Sequence, residues 1–486
     1  MALCHSWVRE YTLMHPKLLL QACSDLVRTV IQFDHPADAV VSKFFRDHRK
    51  TYALGQRERS LLAETVYNVL RFKLRYDHFA PSGSGPKERR LAILGFAQYL
   101  IDQSPTGAPK MSLRPSEAPK KTPSKDAQRY KANEAAQKSR HSPKDEGPIE
   151  FLKAALTEPE IRWIEDCLKI NTSDLLDRHR HNLPEWLVEP LKAQLGTEFW
   201  DLVDAMNASA PLDLRVNTFV AKREEVQAQL KLEGIKAVLT PFSPWGLRIA
   251  GKPTLSDLVC FKNGSMEVQD EGSQLLALLL DAKRGEMVAD FCAGAGGKTL
   301  AIGASMRNTG RLYAFDTSAH RLDALKPRLA RSQLSNVHPA VIAHERDERI
   351  KRLSGKIDRV LVDSPCSGLG TLRRNPDLKW RQSLQGIEQL VVKQKDILTS
   401  AGKLIKLGGR LVYATCSLLE EENEKIAQAF SLAHPGFRPM AAVDILEQLK
   451  IQQAKDLCSI DGLYLRLWPH RHHCDGFFAA IWERTS

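Results

Sequence analysis

No Cys-x-x-Cys pair occurs among the nine cysteines of this chain, which lie scattered at positions 4, 23, 167, 260, 292, 366, 416, 458 and 474. An odd number of dispersed thiols argues against a disulfide framework or a zinc ribbon and fits a reducing compartment, so a cytoplasmic protein is expected. Apolar runs of membrane-spanning length are missing as well, and no membrane partner is expected. Internal repeats are not evident. Near the start, Arg9, Glu10, His15 and Lys17 interrupt the apolar residues, so no secretory signal is expected there. Acidic residues are outnumbered: 58 Asp and Glu face 70 Lys and Arg, leaving a formal charge of +12. That excess suggests a polyanionic partner, but basicity needs a site to support it.

A chain of 486 residues exceeds one compact core, and two or three domains are expected. Residues 18–102 carry helical periodicity; in 54–72 the apolar positions Leu61, Leu62, Val66, Val69 and Leu70 share one face. Arg57, Arg59, Arg71, Lys73 and Arg75 make this stretch basic, and a solvated helix face is the simpler reading of them. Residues 104–147 differ sharply, with six prolines, ten Lys or Arg and only three large apolar side chains. Such a segment buries too little surface to offset the entropy of ordering, and it reads as a disordered basic insertion. Helical patterning returns over 148–208, completing an N-terminal helical domain formed by 1–103 and 148–208. A small α/β module is expected over 209–265. From 266 to 486 strands and helices alternate, with strand candidates at 287–291, 311–315, 337–342, 359–362 and 410–414. That alternation indicates a parallel sheet covered on both faces.

The first of these strands runs into Phe-Cys-Ala-Gly-Ala-Gly-Gly-Lys-Thr at 291–299. A glycine-rich turn leading into a helix lets a ligand approach the backbone and meet free N–H groups. A P-loop would require glycine where Cys292 stands, and a dinucleotide turn would require it where Thr299 stands. A nucleoside-containing cofactor such as S-adenosylmethionine remains, and it calls for an acid at the end of the next strand. Asp316 occupies that place.

Two short motifs follow later strands: Asp363-Ser364-Pro365-Cys366-Ser367-Gly368, and Thr415-Cys416-Ser417. Open parallel sheets place ligands at the carboxyl ends of their strands, so both thiols are expected in one crevice beside Asp363. A lone cysteine is usually a buried apolar residue, and Cys4, Cys23, Cys167, Cys260 and Cys458 are read that way. Paired thiols suit methylation of cytosine C5. A thiolate adding to C6 makes C5 nucleophilic, and a carboxyl group hydrogen-bonded to the ring withdraws electrons. Lys298 is a possible source of positive potential for the thiolate. From these residues alone, either cysteine could attack.

At these positions the sequence resembles the bacterial RsmB and eukaryotic Nop2/Sun family of RNA cytosine-C5 methyltransferases. Matching stretches include LRVN (214–217), VQDEGSQL (268–275), CAGAGGKT (292–299), DSPCSG (363–368), ATCS (414–417) and RLWPHRHHCDGFFAA (466–480). The resemblance implies a Rossmann-like class I methyltransferase domain, a reduced RRM-like α/β module over 209–265, and an antiparallel seventh strand from GFFAAIWE. It makes Cys416 the nucleophile and Cys366 the residue assisting product release, next to Asp363, which the chemistry above already places in contact with the base. It places Cys292, Ala293, Gly294, Ala295, Gly296, Gly297, Lys298, Asp316, Asp347 and Asp363 around S-adenosylmethionine. The family turn commonly reads Cys-Ala-Ala-Pro-Gly-Gly-Lys, and here Gly294-Ala295 replace Ala-Pro. Residues 53–71 resemble part of the NusB-like all-helical RNA-binding domain of some members. Ribosomal RNA is the implied substrate, with transfer RNA second, and a monomer is expected. A ribosome-assembly factor that binds RNA without methylating it is the alternative, and a DNA methyltransferase ranks below both. The cluster His470, His472, His473 and Cys474 is not expected to hold a metal.

Overall fold

The computed structural model describes residues 14–104 and 148–486, apart from residues 50, 53 and 252. The expected disordered insertion falls outside the described residues over 105–147, as does Cys4. Contacts divide the chain after Asn182 into two compact units.

The first unit is helical. Its principal helices are Pro16–Val30, Ala37–Asp47, Gln56–Arg71, Lys87–Gln103 and Glu158–Lys169. The expected apolar stripe of the third, Leu61, Leu62, Val66, Val69 and Leu70, is buried. The basic face is not continuous. Arg71 is buried and donates to Asn68 Oδ1 at 3.0 Å, while Lys73 pairs with Asp77 at 2.6 Å.

The second unit begins with helices Glu185–Leu195 and Phe199–Asn207. Their sequence texture matches that of the first unit, yet Leu187, Leu191, Phe199 and Leu202 pack against Leu369, Leu372, Leu418 and Trp468. Periodicity shows which face of a helix is apolar, not what covers it. Residues 183–208 therefore belong with the second unit instead of the N-terminal helices.

Four antiparallel strands follow: β1 (Leu212–Val216), β2 (Ala237–Leu239), β3 (Gly246–Ile249) and β4 (Met266–Val268), in the order β2-β3-β1-β4. Helix Arg223–Leu232 covers them with Val226 and Leu230. The module extends slightly past its expected end at 265, because β4 pairs with β1 through Leu214, Arg215 and Val216.

The large sheet contains β5 (Met287–Asp290), β6 (Arg311–Asp316), β7 (Val337–Val341), β8 (Ile357–Asp363), β9 (Ile405–Thr415), β10 (Phe437–Met440), β11 (Leu465–Leu467) and β12 (Phe477–Arg484). Its order is β10-β12-β9-β8-β5-β6-β7, with β11 paired to β12. The strands β7, β6, β5, β8 and β9 run parallel, while β12 lies antiparallel between β9 and β10. All five expected strands form, and the GFFAAIWE segment supplies the antiparallel one. Separate apolar clusters cover the two faces of this sheet. The chain order reverses between β5 and β8, so a crevice opens at the carboxyl ends of these neighbours.

Candidate active site

The turn after β5 builds one wall of that crevice. Gly294 and Gly296 hold φ of +55° and +81°, values that side chains other than glycine rarely adopt. Helix Gly297–Ser305 begins immediately afterwards, with Gly296 as its N-cap. Asp316, at the end of β6, latches the turn: its carboxylate accepts from the Gly294 N–H at 2.8 Å and the Ser318 N–H at 2.7 Å.

A cavity of about 850 Å³ lies above these residues. It is lined by Cys292, Ala293, Gly294, Ala295, Gly297, Lys298, Asp316, Asp363, Cys366 and Cys416, among others. Gly296 is turned away from it, with Leu325 occupying the space where its side chain would stand. Burial pushes the Cys292 thiol well up, so it enters the cavity wall as a neutral group.

Asp347 is not brought to this cavity. Its carboxylate accepts from the N–H groups of Ala343 and Arg349, both at 2.9 Å, capping helix Glu348–Lys351. Those two backbone bonds hold it below the usual carboxylate range. Glu345, two residues earlier, lines the cavity in its place. Both acids stand in the segment His-Glu-Arg-Asp, where sequence alone leaves the register open. Arg321, Arg328 and Lys393 also line the cavity, although no motif marked them.

The catalytic candidates converge. Lys298 Nζ lies 2.7 Å from Asp363 Oδ2. Burial draws the lysine downward, but attraction to Asp363 outweighs it and leaves the ammonium firmly charged. Cys366 and Cys416, fifty residues apart, place their sulfur atoms 3.4 Å from each other. The loops carrying them are strapped together, since the N–H of Gly370 donates to the Cys416 carbonyl at 2.8 Å. The Cys366 thiol is pushed well up, first by its bond with Cys416 and then by burial. Either sulfur can donate in this contact.

A second ionic group closes the floor. Arg374 reaches Asp475 at 2.6 Å and Asp270 at 2.8 Å, joining three loops that line the cavity. The neighbouring histidines serve other ends: His470 Nε2 lies 3.0 Å from Glu198, and His472 bonds backbone groups of Trp468 and Asp456. Among the described residues, no group of three or more His, Cys, Asp or Glu side chains could hold a metal ion. Among them, too, no helix is long and apolar enough to cross a membrane.

The parallel sheet with its antiparallel insertion and the glycine-rich turn at the switch point define a class I methyltransferase. The family model described as 16S rRNA methyltransferase RsmB/F matches residues 277–483, and the ferredoxin-like domain of RsmF/B-like methyltransferases matches 183–255. A protein of Bacillus subtilis strain 168 named "Probable ribosomal RNA small subunit methyltransferase B" is 30% identical over 442 residues, covering 90% of this chain and 93% of its own. The crystal structure of PH0851 superposes with a TM-score of 0.70 at 26% identity, over 97% of this chain and 99% of that one. NSun6 from Pyrococcus horikoshii, solved with SFG, shares the fold at a TM-score of 0.55 and 23% identity, over 62% of this chain and 98% of its own. The chain belongs to the RsmB/Nop2/Sun family of RNA methyltransferases.

Proposed function

We propose that this protein methylates C5 of a cytosine in RNA, using S-adenosylmethionine as the methyl donor. The observation that carries the reading is the contact of Cys366 with Cys416 beside the Lys298–Asp363 pair. A lone thiol in a methyltransferase needs no catalytic explanation. Two thiols in contact inside the cavity suit covalent addition to a pyrimidine followed by release.

The cavity fits the donor. At Gly294 no atom lies within 4 Å of where a side chain would begin, so a ligand can approach the backbone there. The N-terminus of helix Gly297–Ser305 and the acids Asp316 and Glu345 offer partners for a carboxylate and for hydroxyl groups. When bound, the donor supplies an electrophilic methyl group. Cys416 forms a bond from sulfur to C6, and the C5–C6 electron pair becomes the nucleophile. Asp363 holds the polar edge of the ring, and Lys298 supplies positive charge next to it. After transfer, a base takes the C5 proton, and that C–H electron pair forms the C5–C6 double bond as the C6–sulfur bond breaks, its own pair leaving on the Cys416 sulfur. The Cys366 thiol donates a hydrogen bond to that departing sulfur.

The names of the relatives favour small-subunit ribosomal RNA as substrate, with transfer RNA as the second choice. The antiparallel module of β1–β4 suits presentation of RNA, because it is fixed to the helix at the cavity rim. Arg248 clasps Asp213 at 2.7 Å, and Asp213 accepts from the N–H of Glu271 at 3.2 Å. The working unit is a monomer on this reading, since one chain carries both thiols, the acid and the cradle.

Transfer of labelled methyl groups to RNA from cells lacking the gene tests the proposal, with bisulfite mapping to locate the mark. Cys416→Ala should abolish both transfer and any covalent RNA adduct. Cys366→Ala should leave enzyme trapped on RNA. The opposite pattern would exchange the two roles, and no incorporation by fresh wild-type enzyme would refute the activity.

A further inference from the structure

The reaction above makes no use of a buried carboxylate on which both cysteine loops converge. Glu422 is fully buried, in the turn that joins the Thr415-Cys416-Ser417 segment to helix Glu424–Ala433. Its Oε1 accepts from the N–H of Ser367 at 2.8 Å and from Gln394 Nε2 at 2.9 Å. Its Oε2 accepts from Ser367 Oγ at 2.5 Å and from Ser417 Oγ. The two hydroxyl oxygens lie 3.1 Å apart. Ser367 directly follows Cys366, and Ser417 directly follows Cys416. The backbone of Glu422 is held too, since Tyr413 donates to its carbonyl at 2.6 Å.

We infer that Glu422 is a positioning residue: its carboxylate binds the Cys366-Ser367 and Cys416-Ser417 turns into one unit and so holds the two sulfur atoms in contact. The inference rests on the two-thiol reaction proposed above. A carboxylate offers about four acceptor directions, and four donors fill them here. Bonds to a charged acceptor are short and strong, which suits two loops that approach from different strands. An amide supplies only one acceptor oxygen. Glu422→Gln keeps the shape but turns an NH₂ group toward one pair of donors, so part of the set must break. Glu422 is also among the groups that raise the Cys366 thiol, after its bond with Cys416 and burial. Glu422 does not line the cavity, so its removal should leave the binding of the methyl donor intact.

The test compares wild type, Glu422→Gln and Glu422→Ala by two readouts. In methyl transfer to RNA from gene-deleted cells, kcat should fall about 10-fold for the glutamine variant and about 100-fold for the alanine variant, the size expected when reacting groups shift by about an ångström. KM for S-adenosylmethionine should stay within about twofold of wild type in both. The second readout needs no RNA. Phenylarsine oxide condenses with two adjacent thiols, its arsenic bonding both sulfurs with loss of water. Capture is measured as protection of Cys366 and Cys416 from later alkylation, with Cys366→Ser and Cys416→Ser as single-thiol references.

Wild type should be protected at both positions, and the variants should lose that protection in the order alanine, then glutamine. Unchanged capture in Glu422→Gln and Glu422→Ala overturns the inference, whatever happens to kcat. Loss of capture with a selective fall in kcat supports it. Should wild type transfer no methyl group at all, the proposed activity fails, while arsenical capture still decides whether Glu422 holds the thiols together. If the alanine variant does not fold, the isosteric glutamine variant decides alone.

Discussion

Asp290, at the end of β5, is fully buried beneath the glycine-rich turn, and replacing it with asparagine should stabilise the protein in a pH-dependent way. Thr299 Oγ1 donates to one carboxyl oxygen at 2.6 Å, while the other has no hydrogen-bond partner among the described residues. Burial raises its pKa from the ordinary 3.8 to about 7, with repulsion from Asp363 adding to the rise and Thr299 opposing it. Between those values the folded protein keeps a proton that the unfolded chain releases. Stability therefore falls as pH rises through this window and levels off above about 7. At about 1.4 kcal/mol per pKa unit, the penalty approaches about 4 kcal/mol at pH 8, of which about 2–3 kcal/mol develops above pH 5. Asp290→Asn does not titrate and escapes it. Thermal unfolding of both proteins at the two pH values, followed by tryptophan fluorescence, reads the difference. The variant's advantage in Tm should be a few degrees larger at pH 8 than at pH 5. Groups that do not face Asp290 titrate alike in both proteins and cancel. An advantage that is the same at both pH values would show that the Asp290 carboxyl is not held protonated by its surroundings, and would refute the reasoning.

Other consequences can be checked directly. Gly296→Ala should cost more than Gly294→Ala in urea unfolding. Both hold positive φ, but the added carbon at 296 would lie 2.1 Å from Leu325 Cδ1, whereas the one at 294 meets nothing within 4 Å. The strain common to both is about 1 kcal/mol, and the clash adds to it only at 296. In calorimetric titration with S-adenosylmethionine, Glu345→Ala should weaken binding about tenfold or more, and Asp347→Ala should leave it within about twofold. Equal losses would return Asp347 to the cofactor site.

Much of this architecture could be read from the chain, and the exceptions share a cause. Four of the five parallel strands stand out as apolar runs ending in Asp290, Asp316 or the cysteine motifs, because a strand buried on both faces has no polar side. The convergence of Cys366 and Cys416 follows from their places at the carboxyl ends of β8 and β9, which are neighbours in the sheet. The allegiance of helices Glu185–Leu195 and Phe199–Asn207 could not be read, since an amphipathic stripe carries no label for its partner. Asp347 stands apart from the cavity for a related reason. Past the end of β7 the alternation stops, and only the path of the loop decides that Glu345 faces the cavity while Asp347 caps a helix. Glu422 left no periodic trace at all, because its bond to Ser367 joins residues 55 apart through side chain and turn alone.

The position of β12 bears on how the protein is made. Residues 477–484 form an interior strand, flanked by β9 and β10 and hydrogen-bonded to the strand that ends at Thr415. Asp475 and Gly476, just before it, fasten to Arg374 and Gly370 in the loop that carries Cys366. During synthesis β9 and β10 therefore lack their shared neighbour until this segment has left the ribosome. A nascent chain stopped before it would hold both thiols on an incomplete frame, with the edge of β9 bare. A bare strand edge of that kind is a template for pairing with another chain, so completing the site and protecting the sheet depend on the same eight residues.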